Sequence, residues 1–591
     1  MFLNVSTYLM RLLLILLLSG IVHAAEPDFP FTADSQPQAN VPKGEIIKGS
    51  YTARDGSVFP GTVRDYQIHL PAGLDQTQPA AFMVFQDGVI YQAPAVFDNL
   101  IAKKDIPPLV GIFIKPGIVP AANDNALPRF NRSYEYDSIT PTYSDFLIDE
   151  FLPAIESRHS LTLSTDPNHA AISGNSSGGI CAFMVAWHRP DRFRRVFTGV
   201  GTYVGIHGAD QLPVLIRKFE PKPLRIFLQS GTGDNNLYCG DWWMANQMME
   251  RSLTWAGYGV NHAWGEGGHN AKHATQIFPD VLRWLWRDWQ TTMEIKANPK
   301  NESKWKGYEV VGDGEWEEIL DEDVKHHADR LSSMADGTVF LTSSEMMVTD
   351  IMSVDKMGSL RRYPIPSAKI KFLTSAGDKL VALSEVPKAE IITFTLSNKL
   401  TEIARKPCEP GFTDLVADHQ GNFIAAKDML DPFGLPLGEL VDGKFKEWPF
   451  VPALEAQVMI NITLSPDQTQ LYLVSPDHSD VYSLIRGKDG VHASQVFGQL
   501  ETFGSVSGEL VGLCVDSNGW LYVATSLGIQ VLDQAGRVNF ILPTPKPALD
   551  VCFGGKDLSE LFIACGDTIY KRPTKAKGVV SGQQPPIKPP A

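Results

Sequence analysis

Residues 170–183 read AAISGNSSGGICAF, and this stretch decides how the first half of the chain folds. Residues 170–173 form a short apolar run of strand character. Gly174-Asn175-Ser176-Ser177-Gly178 follows, a G-x-S-x-G pentapeptide, and from Gly179 the pattern turns helical. Strand, sharp turn and helix in that order is the context in which such a pentapeptide lifts a serine hydroxyl above a sheet. Small residues flank the serine because the turn brings strand and helix close together. The next backbone N–H, that of Ser177, is then aimed at an oxyanion developing on a bound carbonyl. Ser176 is the candidate nucleophile, and Ser177 offers its backbone.

A serine needs a base, and the base needs an orienting acid. In this fold they follow in the order Ser, acid, His. After the apolar run 224–228 comes QSGTGD, which puts Asp234 in a glycine-rich loop just past a strand. WGEGGH then brings His269 in a second glycine loop before the last helix. The spacings, 58 residues from Ser176 to Asp234 and 35 onward to His269, fit one domain. Asp241 competes as the acid, and His262 and His273 compete as the base. The second oxyanion donor is expected from an early loop, here Gln86-Asp87-Gly88-Val89, where Gly88 lets the backbone approach a substrate.

Working outward, short apolar runs at 81–86, 109–114, 170–173 and 224–228 alternate with helical patterns at 143–158, 180–188, 242–256 and 274–289. That alternation predicts a mainly parallel sheet with helices on both faces, a three-layer α/β/α domain over 44–289. Residues 290–308 are polar and read as an interdomain linker. Beyond them a turn followed by a β-rich run recurs six times, at 335–343, 376–384, 418–426, 465–475, 516–525 and 554–565. The repeats lie roughly 40 to 50 residues apart, room for one four-stranded sheet each, which predicts a six-bladed all-β propeller over 309–574. The low-complexity stretch 575–591 reads as a disordered tail.

The chain has 591 residues, more than one core supports. Its 52 basic and 67 acidic residues leave a net charge of −15, which argues against a nucleic-acid partner. Residues 12–22 (LLLILLLSGIV) follow Arg11 and are too short to span a bilayer. With small residues at Ala24 and Ala25 behind them, they read as a signal peptide over 1–24, with cleavage after Ala24 or alternatively Ala25. Export to the periplasm or outside the cell follows, without stable membrane insertion. Residues 25–43 read as a proline-rich linker. The six cysteines form no CxxC pair; Cys552 and Cys565 flank one hairpin and either pair or stay buried thiols.

Several segments resemble one family: FQDG (85–88), NRSYEYD (131–137), GNSSGGICAF (174–183), GTGDNNL (231–237), WWMANQ (242–247) and WGEGGHNAKH (264–273). Residues from about 50 to 289 resemble the enterochelin esterase and esterase D type of α/β-hydrolase, which includes carbohydrate esterases. The resemblance implies Ser176 as nucleophile, His269 as base and Asp234 as acid, with no cofactor. It places Asp87, Arg132 and Glu135 near the site, Arg132 and Glu135 otherwise forming a structural ion pair. Trp242 either stacks on a substrate or is core.

Residues from about 309 to 574 resemble the six-bladed gluconolactonase and regucalcin family, clearest in LVGLCVDSNGWLYVATSLGIQVLDQAGRV (510–538). That resemblance implies one divalent cation on the propeller axis, held by a Glu, Asn residues and an Asp. The corresponding positions fall on Asp329, Thr413, Ile460 and Val511, and aliphatic side chains donate no oxygen. No metal is therefore expected in the propeller, calcium included. The combined expectation is an exported serine esterase acting on small or carbohydrate-linked esters. A metal-dependent lactonase in the propeller and a non-catalytic binding protein are the alternatives, and the oligomeric state is open.

Overall fold

The computed structural model describes residues 28–291, 294–296, 303–319, 330–342, 350–356, 358–365, 368–427, 437–448, 461–475, 478–487, 490–502 and 512–590. The expected signal peptide lies outside them. Among the described residues no helix is long and apolar enough to cross a membrane. The chain divides into two compact units, one built mainly from residues up to 295 and one mainly from 296 onward. Residues 211–223 and 251–259, read from the sequence as part of the α/β half, cluster with the second unit.

The first unit is a mixed α/β domain around a ten-stranded sheet. Its central strands run Arg225–Gly233, Arg195–Gly199, Ala170–Asn175, Ala81–Gln86 and Leu109–Ile114, each parallel to the next in this order. Val63–Leu70 and Glu45–Thr52 continue it antiparallel. The central strands are buried along nearly their whole length, as strands covered on both faces must be. Met83, Phe85, Ala171 and Phe197 point into one cluster with the helices Ala93–Ala102 and Lys272–Leu285. Helix Ser177–His188 packs on the strands Ala170–Asn175 and Arg195–Gly199, and all but its last residue is buried, which explains its apolar composition all round.

The predicted helix over 143–158 forms with a wide turn in it. Thr142–Asp145 is α-helical, Phe146–Phe151 opens to a π turn, and Leu152–His159 resumes. Pro153 sits just past the wide turn; it has no N–H for the carbonyl four residues back and its ring crowds that carbonyl.

Residues 28–43 are not a free linker. Ala33–Ser35 makes a tight turn, Asn99 Nδ2 donates to the carbonyls of Asp34 and Gln36 at 2.8 and 2.9 Å, and Arg283 Nη2 pairs with Asp34 at 2.7 Å. Phe29 stacks on His273 with ring centres 4.8 Å apart.

The second unit contains six four-stranded antiparallel sheets, a six-bladed propeller. Five take consecutive strands. The sixth joins Asp550–Gly554, Glu560–Ala564 and Ile569–Pro573 to Glu317–Ile319 from the start of the unit, which closes the ring. The six turn-and-strand repeats land on the second strand of each blade, among them Val339–Thr342, Gln470–Val474 and Leu521–Thr525. That strand has a partner on each side and a neighbouring blade on each face, so it reads as a nearly unbroken apolar run.

The tail is ordered, contrary to its composition. Gly578 N–H donates to Leu558 at 2.8 Å, Gly582 N–H to Ala417 at 2.9 Å, and Ile587 N–H to Pro466 at 2.8 Å. Ala576 and Val580 are buried. A proline-rich segment offers few donors, and the blades satisfy the carbonyls and amides it has. All six cysteines are free thiols, so Cys552 and Cys565 do not pair.

One polar contact sits deep in the first unit. Arg64 and Glu135, both side chains fully buried, are bridged at 2.8 and 3.1 Å, and Glu135 also accepts the Gly117 N–H at 3.1 Å. Removing one partner leaves the other charge buried and unpaired. Glu135→Ala should destabilise the α/β unit by about 3–5 kcal/mol, read from denaturant unfolding; a change within error would show the pair to be dispensable.

Candidate active site

Ser176 joins the strand Ala170–Asn175 to the helix Ser177–His188 with φ 59° and ψ −122°, a conformation strained for a residue with a Cβ. The turn is that sharp because strand and helix nearly touch. A Cβ on Gly174 would lie 2.1 Å from the Gly178 carbonyl oxygen, and one on Gly178 would lie 3.0 Å from Asp87 Oδ2.

The turn lifts Ser176 Oγ to 2.7 Å from His269 Nε2, and His269 Nδ1 lies 2.6 Å from Asp234 Oδ1. With Nδ1 against a carboxylate, the proton belongs on Nδ1, and Nε2 is left to accept from the serine. The Asp234 side chain is fully buried and His269 is one-fifth exposed. Ser230 donates its hydroxyl to Asp234 Oδ2 at 2.7 Å, and Asn235 its N–H to Oδ1 at 2.8 Å, which fix the carboxylate in rotation. The acid loop ends the strand Arg225–Gly233 and the base loop ends Gly259–Gly268. They approach so closely that a Cβ on Gly231 would meet the Gly267 oxygen at 2.3 Å.

Residues 57–315 match the "Putative esterase" family. Residues 336–566 match the SMP-30/gluconolactonase/LRE-like region. A curated relative, the iron(III) enterobactin esterase of Dickeya dadantii, is 30% identical over 152 residues, which span 23% of this chain and 33% of that protein. The chain thus covers about a third of that relative's length. Among solved structures, the enterobactin esterase of Shigella flexneri is 21% identical, covering 42% of this chain and 61% of its own, with a TM-score of 0.33. A gluconolactonase from Xanthomonas campestris is 16% identical, covering 45% and 92%, with a TM-score of 0.36.

In the α/β unit the geometry separates the rivals left open by the sequence. Asp241 accepts the Met244 N–H at 3.0 Å and so caps the helix Trp242–Ala256. His262 stacks on Trp264, ring centres 4.7 Å apart. His273 Nδ1 lies 3.2 Å from Gln229 Nε2, and burial pushes its pKa down. None of the three stands against Ser176.

Trp242 is a wall of the site. Its indole N–H donates to Thr202 Oγ1 at 3.2 Å and its ring stands edge-on to His269 at 5.6 Å. Thr202 Oγ1 is in turn 3.3 Å from Ser176 Oγ. Thr202 and Ser230 were not found from the sequence, which holds no local signal for either beyond Ser230 standing four residues before the acid.

The early loop differs from expectation. The Gly88 N–H donates to the Ile114 carbonyl at 3.0 Å, at the end of the strand Leu109–Ile114, so it is not turned toward an oxyanion. Ser177 opens the 12-residue helix Ser177–His188, so its N–H lies at the positive end of a helix dipole. Arg132 grips Asp87 with Nε at 2.7 Å and Nη2 at 2.8 Å, and Nη2 reaches the Asn175 carbonyl at 3.4 Å. It thereby ties the early loop to the serine turn. Glu135 pairs with Arg64 in the core, not with Arg132.

In the propeller, Asp329, Ile460 and Val511 lie outside the described residues, and Thr413 does not line the axial cavity. The neighbours one position on do: Arg330, Asp414, Asn461 and Gly512, together with Asp550, line a cavity of about 110 Å³. Among the described residues no group of three or more His, Cys, Asp or Glu side chains is arranged to hold a metal ion.

Burial pushes the Asp550 carboxyl up to about 7, offset in part by the Arg330 charge and by the N–H groups of Leu331 and Val551. A carboxyl raised in the folded state adds stability that is complete below about pH 4 and is lost as the pH rises through 7. Against Asp550→Asn, which does not titrate, the natural protein should lose stability by on the order of a few kcal/mol between pH 4 and 7. Unfolding midpoints of both proteins across that range test this, and parallel curves would contradict it.

Proposed function

We propose that the chain is an exported serine carboxylic-ester hydrolase acting on small or carbohydrate-linked esters, joined to a propeller without metal-dependent lactonase chemistry. The observation that carries the ester chemistry is the unbroken relay from Ser176 Oγ through His269 to Asp234, at 2.7 and 2.6 Å. Ser176 Oγ attacks the ester carbonyl as its proton passes to His269 Nε2. Asp234 stabilises the imidazolium that results, and the Ser177 N–H holds the oxyanion. Collapse of the tetrahedral adduct breaks the carbon–oxygen bond to the alcohol, which leaves with the proton from His269. Water, deprotonated by the same imidazole, then releases the acid and restores the serine.

The apolar run 12–22 before Ala24 supports export. The family match and the esterase named as a relative support ester hydrolysis.

Ser176→Ala should lower turnover of an activated acetyl or feruloyl ester by at least about 10³-fold and abolish labelling by a fluorophosphonate. Asp234→Asn should lower kcat by about 10⁴-fold with the fold intact, because the imidazole takes the wrong tautomer. The substrate panel spans acetylated and feruloylated sugars and iron(III) enterobactin. Undiminished turnover by the Ser176 variant would overturn the reading.

A further inference from the structure

The propeller axis holds a donor set that looks made for a cation, and it lies far in sequence from the ester chemistry. Asp414, Asn461 and Asp550 come from three inner strands, Phe412–Ala417, Asn461–Leu464 and Asp550–Gly554, and line one cavity with Arg330 from a fourth, Arg330–Ser333. Two carboxylates and an amide oxygen are the ligands a hard divalent ion prefers. A metal does not fit them as they stand. Asp414 Oδ1 accepts the Leu415 N–H at 2.8 Å and its Oδ2 accepts the Ile462 N–H at 2.8 Å. Asp550 Oδ1 accepts the Val551 N–H at 2.7 Å and its Oδ2 the Leu331 N–H at 2.7 Å. Asn461 Oδ1 accepts from Arg330 Nη1. The two carboxylates and the amide supply two, two and one oxygens, each already accepting a hydrogen bond, and the Arg330 charge stands among them, whereas a calcium ion needs six to eight oxygens turned toward it.

The fifth blade lines the cavity with Gly512, Leu513 and Cys514, which bring no side-chain oxygen. Gly512 stands at the cavity, and a Cβ there would fall 1.7 Å from Asp550 Oδ1. Asp550 fills the space a ligand side chain from that blade would need.

We propose that the propeller axis is a cation seat occupied by the chain itself, with the Arg330 guanidinium standing in for a divalent metal among Asp414, Asn461 and Asp550. A guanidinium supplies one fixed positive charge and several donors, is retained at every physiological pH, and needs no ion from solution. Its charge acts on both buried carboxylates. The seat is therefore neutralised without a metal, and a divalent ion meets a like charge in its place. This inference stands apart from the ester-hydrolase reading, since none of its readouts passes through Ser176.

The test uses the full chain. Calorimetric titration of the natural protein with calcium chloride should show no saturable heat, and EDTA should leave its unfolding midpoints unmoved. Arg330→Glu replaces the guanidinium by a third carboxylate and should gain saturable binding of about one calcium ion per chain, with a midpoint that rises with calcium. Arg330→Gln keeps a donor for Asn461 but removes the charge, and should lower the midpoint by several degrees more at pH 8 than at pH 5, because both carboxylates then lose their counter-ion. Saturable calcium binding by the natural protein, abolished by Asp414→Asn, would overturn the proposal. So would a folded Arg330→Glu protein that takes no calcium, or, if that variant fails to fold, an Arg330→Gln protein with the natural midpoint at both pH values.

Discussion

The contact between Gly174 and Gly178 is the constraint on which the α/β half depends. A side chain on Gly174 would overlap the Gly178 carbonyl at 2.1 Å, so strand and helix can meet only if Gly174 is bare, while a Cβ on Gly178 would crowd Asp87 Oδ2 at 3.0 Å. Ser176, between them, has to reverse the chain in two bonds and takes a left-handed φ to do it. That conformation costs about 1–3 kcal/mol for a residue with a Cβ. The cost is met by what surrounds it: a central strand paired on both sides and a helix buried along nearly all its length. The strain lies where the hydroxyl must project, and the packing that tolerates it also holds the hydroxyl in place.

The same device recurs on the other side of the site. Gly231 and Gly267 let the acid loop and the base loop come within van der Waals distance, and that approach brings Asp234 under His269. Asp234 is then held by Ser230 and by its neighbouring N–H, while Trp242 and Thr202 close the wall beside the imidazole. The Arg132–Asp87 pair fastens the early loop to the serine turn. A reactive serine at rest needs this rigidity, because a small misplacement of the base removes much of its effect.

What the sequence made legible was local or repeated. The pentapeptide around Ser176 declares itself because strand, turn and helix follow one another within a few residues. The blades declare themselves because six second strands are apolar for one geometric reason. Asp234 and Asp241 are harder to tell apart, since both sit in glycine-containing loops; the contact of Asp234 with His269 and the Met244 N–H donated to Asp241 separate the acid from the cap. Thr202 was illegible because it meets Ser176 across 26 residues and nothing in a threonine announces that. Residues 28–43 and 575–590 misled for a different reason. Proline-rich, polar composition shows that a segment cannot build its own core, but not that it can lie along another surface and satisfy its backbone there.

The propeller axis carries the most instructive slip. The family pattern points to Thr413 at the axis, yet Asp414 is the one there; Asn461 and Gly512 stand next to Ile460 and Val511. Side chains alternate along a strand, so a displacement of one residue turns every reading from the axis to the wrong face. Oxygen-bearing side chains therefore do line the axis. Their presence is still not a measure of metal chemistry, because each carboxylate is spent on an amide of a neighbouring strand. Asp414 ties its blade to the next through Ile462, and Asp550 ties the last blade to the first through Leu331. A ring of blades closed by such staples needs their negative charge balanced, and Arg330 supplies the balance from within the chain.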